Sequence, residues 1–204
     1  MKEYDYENSG AIPPTRPKRK WTSYIVLHRT VGEGVKGIVD FFTTDPEGVA
    51  TCTIGGFEKR LDAIRDWRKN GVPDWAKKKA YVPYNFLVGR DGKIYKMLDY
   101  AARGAHAAPY NNSSLGIGVV GDFRKEQPSD EQVLALKKLC RFLMRKYSKE
   151  LEKDPILTHD EIRARDRKKP KDCPGPFLPV DKIRRWVYRA DEIIASNIRG
   201  DRKF

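Results

Sequence analysis

Apolar and polar positions along the chain fall into patterns that mark its elements. Tyr24-Ile25-Val26-Leu27-His28 is an unbroken run of β-formers closing on a histidine, as expected for a strand covered on both faces. Val35, Ile38, Val39 and Phe42 recur at helical spacing within 33–43, and Leu61, Ile64 and Trp67 repeat that signal within 58–69. From Asn70 to Ala80 glycine, proline and lysine break the pattern, which predicts a loop. Tyr84–Val88 and Lys93–Met97 flank Arg90-Asp91-Gly92, and the Asp-Gly pair predicts a tight hairpin. Leu115–Val120 reads as another interior strand, with glycines at 116 and 118 that permit close backbone approach. Ser129-Asp130-Glu131-Gln132 is a capping box opening a helix whose core stripe is Val133, Leu136, Cys140, Leu143 and Tyr147. Pro155–Thr158 predicts a short strand leading to His159. A last helix, about 180–198, sets Ile183, Trp186, Val187, Ala190 and Ile194 against Lys182, Arg184, Arg185 and Arg189.

With no internal repeat, these elements sum to a single α/β domain over 22–204. It has a mixed central β-sheet of about five to six strands flanked by helices on both faces. Residues 1–21 lack the patterning. Pro13, Pro14 and Pro17 among Arg16, Lys18, Arg19 and Lys20 predict a basic, extended N-terminal arm rather than a helix.

Composition narrows the function classes. A chain of 204 residues with 39% hydrophobic and 11% aromatic residues can bury a core, which excludes a disordered chain. Its formal charge is +13, from 41 Lys+Arg against 28 Asp+Glu. That surplus attracts polyanions such as nucleic acid, an anionic membrane or an acidic cell wall, and a plain solvated basic surface carries it equally well. Basic residues do not interleave with aromatic stacking positions in a recognisable module, so no nucleic-acid partner is expected. Cys52, Cys140 and Cys173 are too few for a disulfide framework. The polar, acidic first ten residues lack an apolar signal-peptide region, and no stretch approaches the ~18 apolar residues of a membrane span. Synthesis in the cytoplasm is expected, with any action outside depending on another route of release.

The histidines are His28, His106 and His159. His28 ends a buried strand, His159 follows another, and Cys173 lies in the loop Lys171-Asp172-Cys173-Pro174-Gly175-Pro176. Strand ends in one sheet can converge. Two imidazoles and a thiolate suit Zn²⁺, and three protein ligands leave a fourth position for water. Taken singly, each residue also has a plain reading, as a satisfied strand-end histidine or a small buried hydrophobe.

Four segments, in order, resemble the zinc N-acetylmuramoyl-L-alanine amidases and their relatives, the bacteriophage lysozyme-amidases and peptidoglycan-recognition proteins. They are Tyr24–Thr30 (YIVLHRT), Tyr84–Tyr95 (YNFLVGRDGKIY), Arg103–Phe123 (RGAHAAPYNNSSLGIGVVGDF) and His159–Pro176 (HDEI…KPKDCPGP). The resemblance spans about residues 22–190. It implies one Zn²⁺ per chain held by His28, His159 and Cys173, with Tyr84 and Lys171 catalytic and His106 and Asn111 binding substrate. It also implies hydrolysis of the amide joining muramic acid to L-alanine, with peptidoglycan as partner and a monomer as the working unit. The basic arm and C-terminal helix would add contact with an anionic wall or outer-membrane surface.

Departures from the family pattern sort the branches. Asn85 stands where many relatives have a second histidine, and Gly118 stands where muropeptide-recycling amidases place a catalytic glutamate. The third ligand is cysteine rather than their aspartate. These features favour the lytic, phage-type branch, an endolysin acting on the wall. A non-catalytic recognition module usually lacks the cysteine. Glu161 has two readings, an additional base or a helix-start acidic residue. Residues 44–82 exceed a minimal member of the family.

Overall fold

The computed structural model describes residues 3–5, 17–30, 34–35 and 83–199. The helical signal at 58–69, the loop at 70–80, Cys52, and all of 33–43 except Gly34 and Val35 lie outside the described residues.

Strand β5 (Ser114–Val120) is central. It pairs in parallel with β2 (Tyr24–Thr30) on one side and with β3 (Phe86–Val88) on the other. β6 (Ile156–Thr158) continues the sheet beyond β2, again in parallel. β4 (Ile94–Lys96) closes the predicted hairpin antiparallel to β3, and β1 (Glu3–Asp5) runs parallel to β4 at the edge. The six-stranded order is β1-β4-β3-β5-β2-β6. Among the described residues three α-helices accompany it: α1 (Asp130–Lys146), α2 (His159–Arg165) and α3 (Val180–Arg199).

The period-2 alternation of a strand divides each one between two environments. Ile25, Leu27, Phe86, Val88, Leu115, Ile117 and Val119 face α1 and α3, where they meet Leu136, Leu139, Cys140, Leu143, Ile183 and Val187. Each fully buried leucine there contributes roughly 1.5–3 kcal/mol. The opposite face is split. Val26 and Leu157 pack with Ala107 and Ile162 of α2, while Leu87 and Val120 pack with Val35, Tyr84 and Met97. Helices thus cover both faces, and on the second face His28 lies buried between the two clusters, against Tyr84, His106 and His159.

The capping box forms as read. Ser129 accepts the Gln132 N–H, and the Gln132 side chain accepts the Ser129 N–H. Such a cap is worth about 1 kcal/mol. Gln132 Nε2 also donates to Val120 O, stapling the start of α1 to the end of β5. Two details differ from the pattern reading. Trp186, placed in the core stripe of α3, is 36% exposed. It sits at the rim of the α1–α3 seam beneath Lys137 and Arg141, whose cations stack on its ring. Arg19, read as part of a solvated cationic arm, is turned inward and only 9% exposed. Its guanidinium donates to Thr22 Oγ1, Ala102 O and Tyr100 O and lies over the Tyr147 ring. Three carbonyl or hydroxyl acceptors and an aromatic face replace the water a surface arginine would keep.

Candidate metal centre

Three elements bring the predicted ligands together. His28 lies near the end of β2 on the face away from α1 and α3, directly across from Gly118 of β5. Thr158, the last residue of β6, is the N-cap of α2, so His159 opens that helix. Beyond α2 the chain doubles back, and Asp160 holds the returning loop. Its Oδ1 accepts the Lys171 N–H at 2.7 Å and its Oδ2 accepts the Cys173 N–H at 3.0 Å. The Asp160 N–H donates to Cys173 O. Between the two clamped residues Asp172 takes a left-handed φ of 51°, a conformation that Asp tolerates. The ligand atoms of His28, His159 and Cys173 consequently lie within 4.8 Å of one another.

Geometry and electrostatics both fit a zinc ion. Cys173 Sγ is 3.9 Å from His28 Nδ1. Tetrahedral bonds of about 2.0–2.3 Å separate ligand atoms by roughly 3.3–3.6 Å, so this pair needs only a small adjustment to share an ion. Burial drives the His28 pKa well below its ordinary value, with His159 and His106 adding to the effect. Burial likewise brings His159 to about 4, helped by the charges of Arg163 and Lys171. Both rings are therefore neutral at pH 7 and offer a lone pair, as metal ligation requires.

The other predicted residues surround this triad. Tyr84 is 8% exposed, with its ring centroid 5.2 Å from that of His28. It lies against Gly118, where a Cβ would come within 2.9 Å of the tyrosine ring. His106 is 8% exposed and its Nδ1 is 3.0 Å from His28 Nε2, the two rings standing at 84°. It rests on Gly116, where a Cβ would lie 2.5 Å from its Cγ. The β5 glycines thus receive side chains rather than neighbouring backbone. Asn111 Oδ1 accepts the His106 and Ala107 N–H groups at 2.9 and 2.8 Å, shaping the loop that carries His106. The Lys171 side chain is exposed, close enough that its charge weighs on His159.

Glu161 is not placed as a base. Its carboxylate accepts the Thr158 N–H in the capping box of α2 and pairs with Arg184 of α3. Asn85 is fully buried, with Nδ2 donating to Ala102 O and Oδ1 accepting the Gly116 N–H. It ties β5 to the segment below His106. Asp160 escaped the sequence reading, although a carboxylate beside His159 at a helix start is the signal for it. Its partners lie 11 and 13 residues downstream, beyond any local pattern.

Comparison with known proteins places the chain in a family and a fold. The family described as N-acetylmuramoyl-L-alanine amidase matches residues 17–176. Peptidoglycan-recognition protein 2 of Holotrichia diomphalia is 35% identical over 153 residues, covering 74% of this chain and 73% of that protein. Peptidoglycan-recognition protein SD of Drosophila melanogaster is 33% identical over 112 residues, 55% of this chain and 56% of that protein. The chain thus spans about half the length of that Drosophila relative. In fold it is similar to the N-acetylmuramoyl-L-alanine amidase LysC from Clostridium intestinale, with a TM-score of 0.58, 23% identity and coverage of 90% and 95% of the two chains. It is also similar to wild-type Drosophila PGRP-LB, with a TM-score of 0.54, 22% identity and coverage of 87% and 89%. The chain belongs to the N-acetylmuramoyl-L-alanine amidase family.

Proposed function

We propose that this chain is a zinc-dependent peptidoglycan amidase, cleaving the amide between the lactyl group of N-acetylmuramic acid and L-alanine, in the lytic, phage-type branch. The observation that carries this reading is the convergence of two neutral imidazoles and a thiol on one point of the second sheet face. Bound by His28, His159 and Cys173, Zn²⁺ supplies Lewis acidity toward the scissile carbonyl and lowers the pKa of a water toward about 7.

The remaining roles fall to side chains around that point. Tyr84, held against Gly118 beside His28, directs its hydroxyl to the attacking water or the developing oxyanion. Lys171 brings a positive charge to the carbonyl oxygen as it becomes negative; losing such a donor costs roughly 10²–10³ in rate. His106 and Asn111 line the side where the substrate's glycan and stem peptide are bound. A side chain on Gly118 would meet Leu87, Thr30 and Tyr84 within 3 Å. A glutamate there and Tyr84 in its present place exclude one another, which supports the lytic arrangement over the muropeptide-recycling one.

Peptidoglycan is the partner, and the chain works as a monomer. Contact with an anionic wall or outer-membrane surface falls to exposed Lys182, Arg185 and Arg189 of α3 beside Trp186, since Arg19 is withdrawn from the arm. Among the described residues no helix is long and apolar enough to cross a membrane. Action is at the cell wall.

The test is digestion of purified sacculi by native protein, EDTA-treated protein and Cys173→Ser. Free L-alanine amino groups without new reducing sugar ends are expected from native protein alone. Zinc-loaded protein that binds sacculi and releases nothing would make it a recognition module.

A further inference from the structure

We propose that His106 is a positioning residue for the metal ligand His28: it accepts the proton on His28 Nε2 and so fixes both the tautomer and the ring plane of that ligand. The inference rests on the zinc reading and reassigns a residue that the family resemblance places at the substrate.

The argument begins with the two nitrogens of His28. Its Nδ1 faces Cys173 Sγ at 3.9 Å and is the atom turned to the ligand cluster. A neutral imidazole that offers Nδ1 to a metal carries its proton on Nε2. His28 is 2% exposed, so that N–H must find an acceptor inside the protein. His106 Nδ1, 3.0 Å away, supplies it. The second ring then carries its own proton on Nε2, a buried nitrogen with no hydrogen-bond partner among the described residues.

His106 is also placed with unusual care for a residue that only lines a cleft. Gly104 and Gly116 leave the room its ring occupies, since a Cβ on either would come within 2.6 Å of it. Asn111 fixes its backbone N–H, and Asn85 fixes the strand beneath it. A glycine inside a central strand weakens that strand, so the space is costly. Metal-bound histidines commonly donate their second N–H to a carboxylate, a carbonyl or water. Here the acceptor is a neutral imidazole, which orients the ligand without adding negative charge. Two imidazoles and one thiolate leave a Zn²⁺ centre with net positive charge, and a carboxylate in place of His106 would cancel it.

The test measures zinc affinity of the full chain by competition with a chromophoric chelator, and the visible absorption of the Co²⁺-loaded protein. His106→Leu removes the acceptor. His106→Asn restores one, because its Oδ1 falls where the histidine Nδ1 lies. The expected result is a loss of about 10–100-fold in zinc affinity for His106→Leu, with an altered Co²⁺ spectrum, and recovery to within about threefold for His106→Asn. Thermal unfolding of the metal-free variants checks that each is folded. Equal losses in two cooperatively folded variants would reduce His106 to a space-filling part and overturn the proposal. So would unchanged affinity in His106→Leu alongside lost affinity in His28→Ala. If His28→Ala itself binds zinc as tightly as the native chain, the zinc reading falls and the positioning role with it.

Discussion

Asp160 and Cys173 are joined twice, the carboxylate accepting the cysteine N–H at 3.0 Å and the aspartate N–H donating back to the cysteine carbonyl at 3.1 Å. The remaining carboxylate oxygen holds Lys171. One side chain therefore sets the loop that carries a proposed ligand and a proposed catalytic cation against the helix that begins with His159. Asp160→Ala is expected to weaken zinc binding by about 10–100-fold while leaving the sheet intact. Asp160→Asn, which keeps one acceptor oxygen, falls between the two. Chelator competition reads the affinity and far-UV circular dichroism reads the fold. Unchanged affinity in Asp160→Ala would mean that the loop holds its shape without the clamp.

Gly118 lies beneath Tyr84 and across from His28, and three side chains converge on the place its Cβ would take. Gly118→Ala is expected to destabilise the fold by about 1–3 kcal/mol, the usual range for overpacking, and to displace Tyr84. Urea unfolding measures the first effect and intrinsic tyrosine fluorescence the second. A wild-type midpoint would show that the three neighbours can yield at no cost.

How far the sequence reaches is visible from these residues. The convergence of His28, His159 and Cys173 was legible because each sits at a predicted strand end or in a distinctive loop. The Ser129–Gln132 capping box was legible as a local pattern of four residues, whereas the equivalent Thr158–Glu161 box was not read. What escaped depends on contacts between distant segments. Asp160 acts across a doubled-back loop, Gly116 and Gly118 matter for side chains that arrive from β3 and from the 104–111 loop, and Arg19 finds its acceptors about 80 residues away. Charge alone placed Arg19 in solvent, because no periodicity reports that a lone arginine has a dry, acceptor-lined seat.

That seat leads to a contrast between neighbours. Arg19→Ala removes the charged hydrogen bonds to Thr22, Ala102 and Tyr100, although the two carbonyls keep Asn85 Nδ2 and the Tyr147 hydroxyl as donors, and is expected to cost roughly 1–3 kcal/mol. Lys20→Ala, at an exposed position, is expected to stay within about 0.5 kcal/mol of wild type. Denaturant midpoints for the pair decide it. Equal effects would return Arg19 to the solvated arm.

Tyr84 and Lys171 are separable from metal binding. Neither supplies a ligand atom to the triad, so Tyr84→Phe and Lys171→Met are expected to bind zinc within about threefold of wild type. On the proposed roles, each is expected to lose roughly 10²–10³ in kcat with KM little changed, the loss anticipated for an interaction made only in the transition state. Steady-state kinetics on solubilised muropeptides check the split. A variant that loses zinc in step with its rate would have been supporting the centre rather than the reaction.

Asp122 ties the loop below the metal centre to the strand above it, and its titration gives a pH signature. The bonds from Arg124 come first in lowering its pKa to about 2, and the charge of Arg29 adds to them. Phe123, next in the chain, receives the Phe177 N–H and the close approach of Gly175, so this corner seats the loop that follows Cys173. An unfolded aspartate titrates near 3.9. A carboxylate with its pKa depressed in the folded state contributes stability that is fully present above about pH 4 and is lost as the pH falls toward 2. Asp122→Asn is therefore expected to be less stable than wild type by roughly 1 kcal/mol at pH 7, solvent screening allowed for, and the gap should close between pH 4 and pH 2. Urea unfolding of both proteins at pH 7, 4 and 2.5 measures it. A gap that stays constant across that range would assign the loss to geometry at this corner instead of to the charge of Asp122.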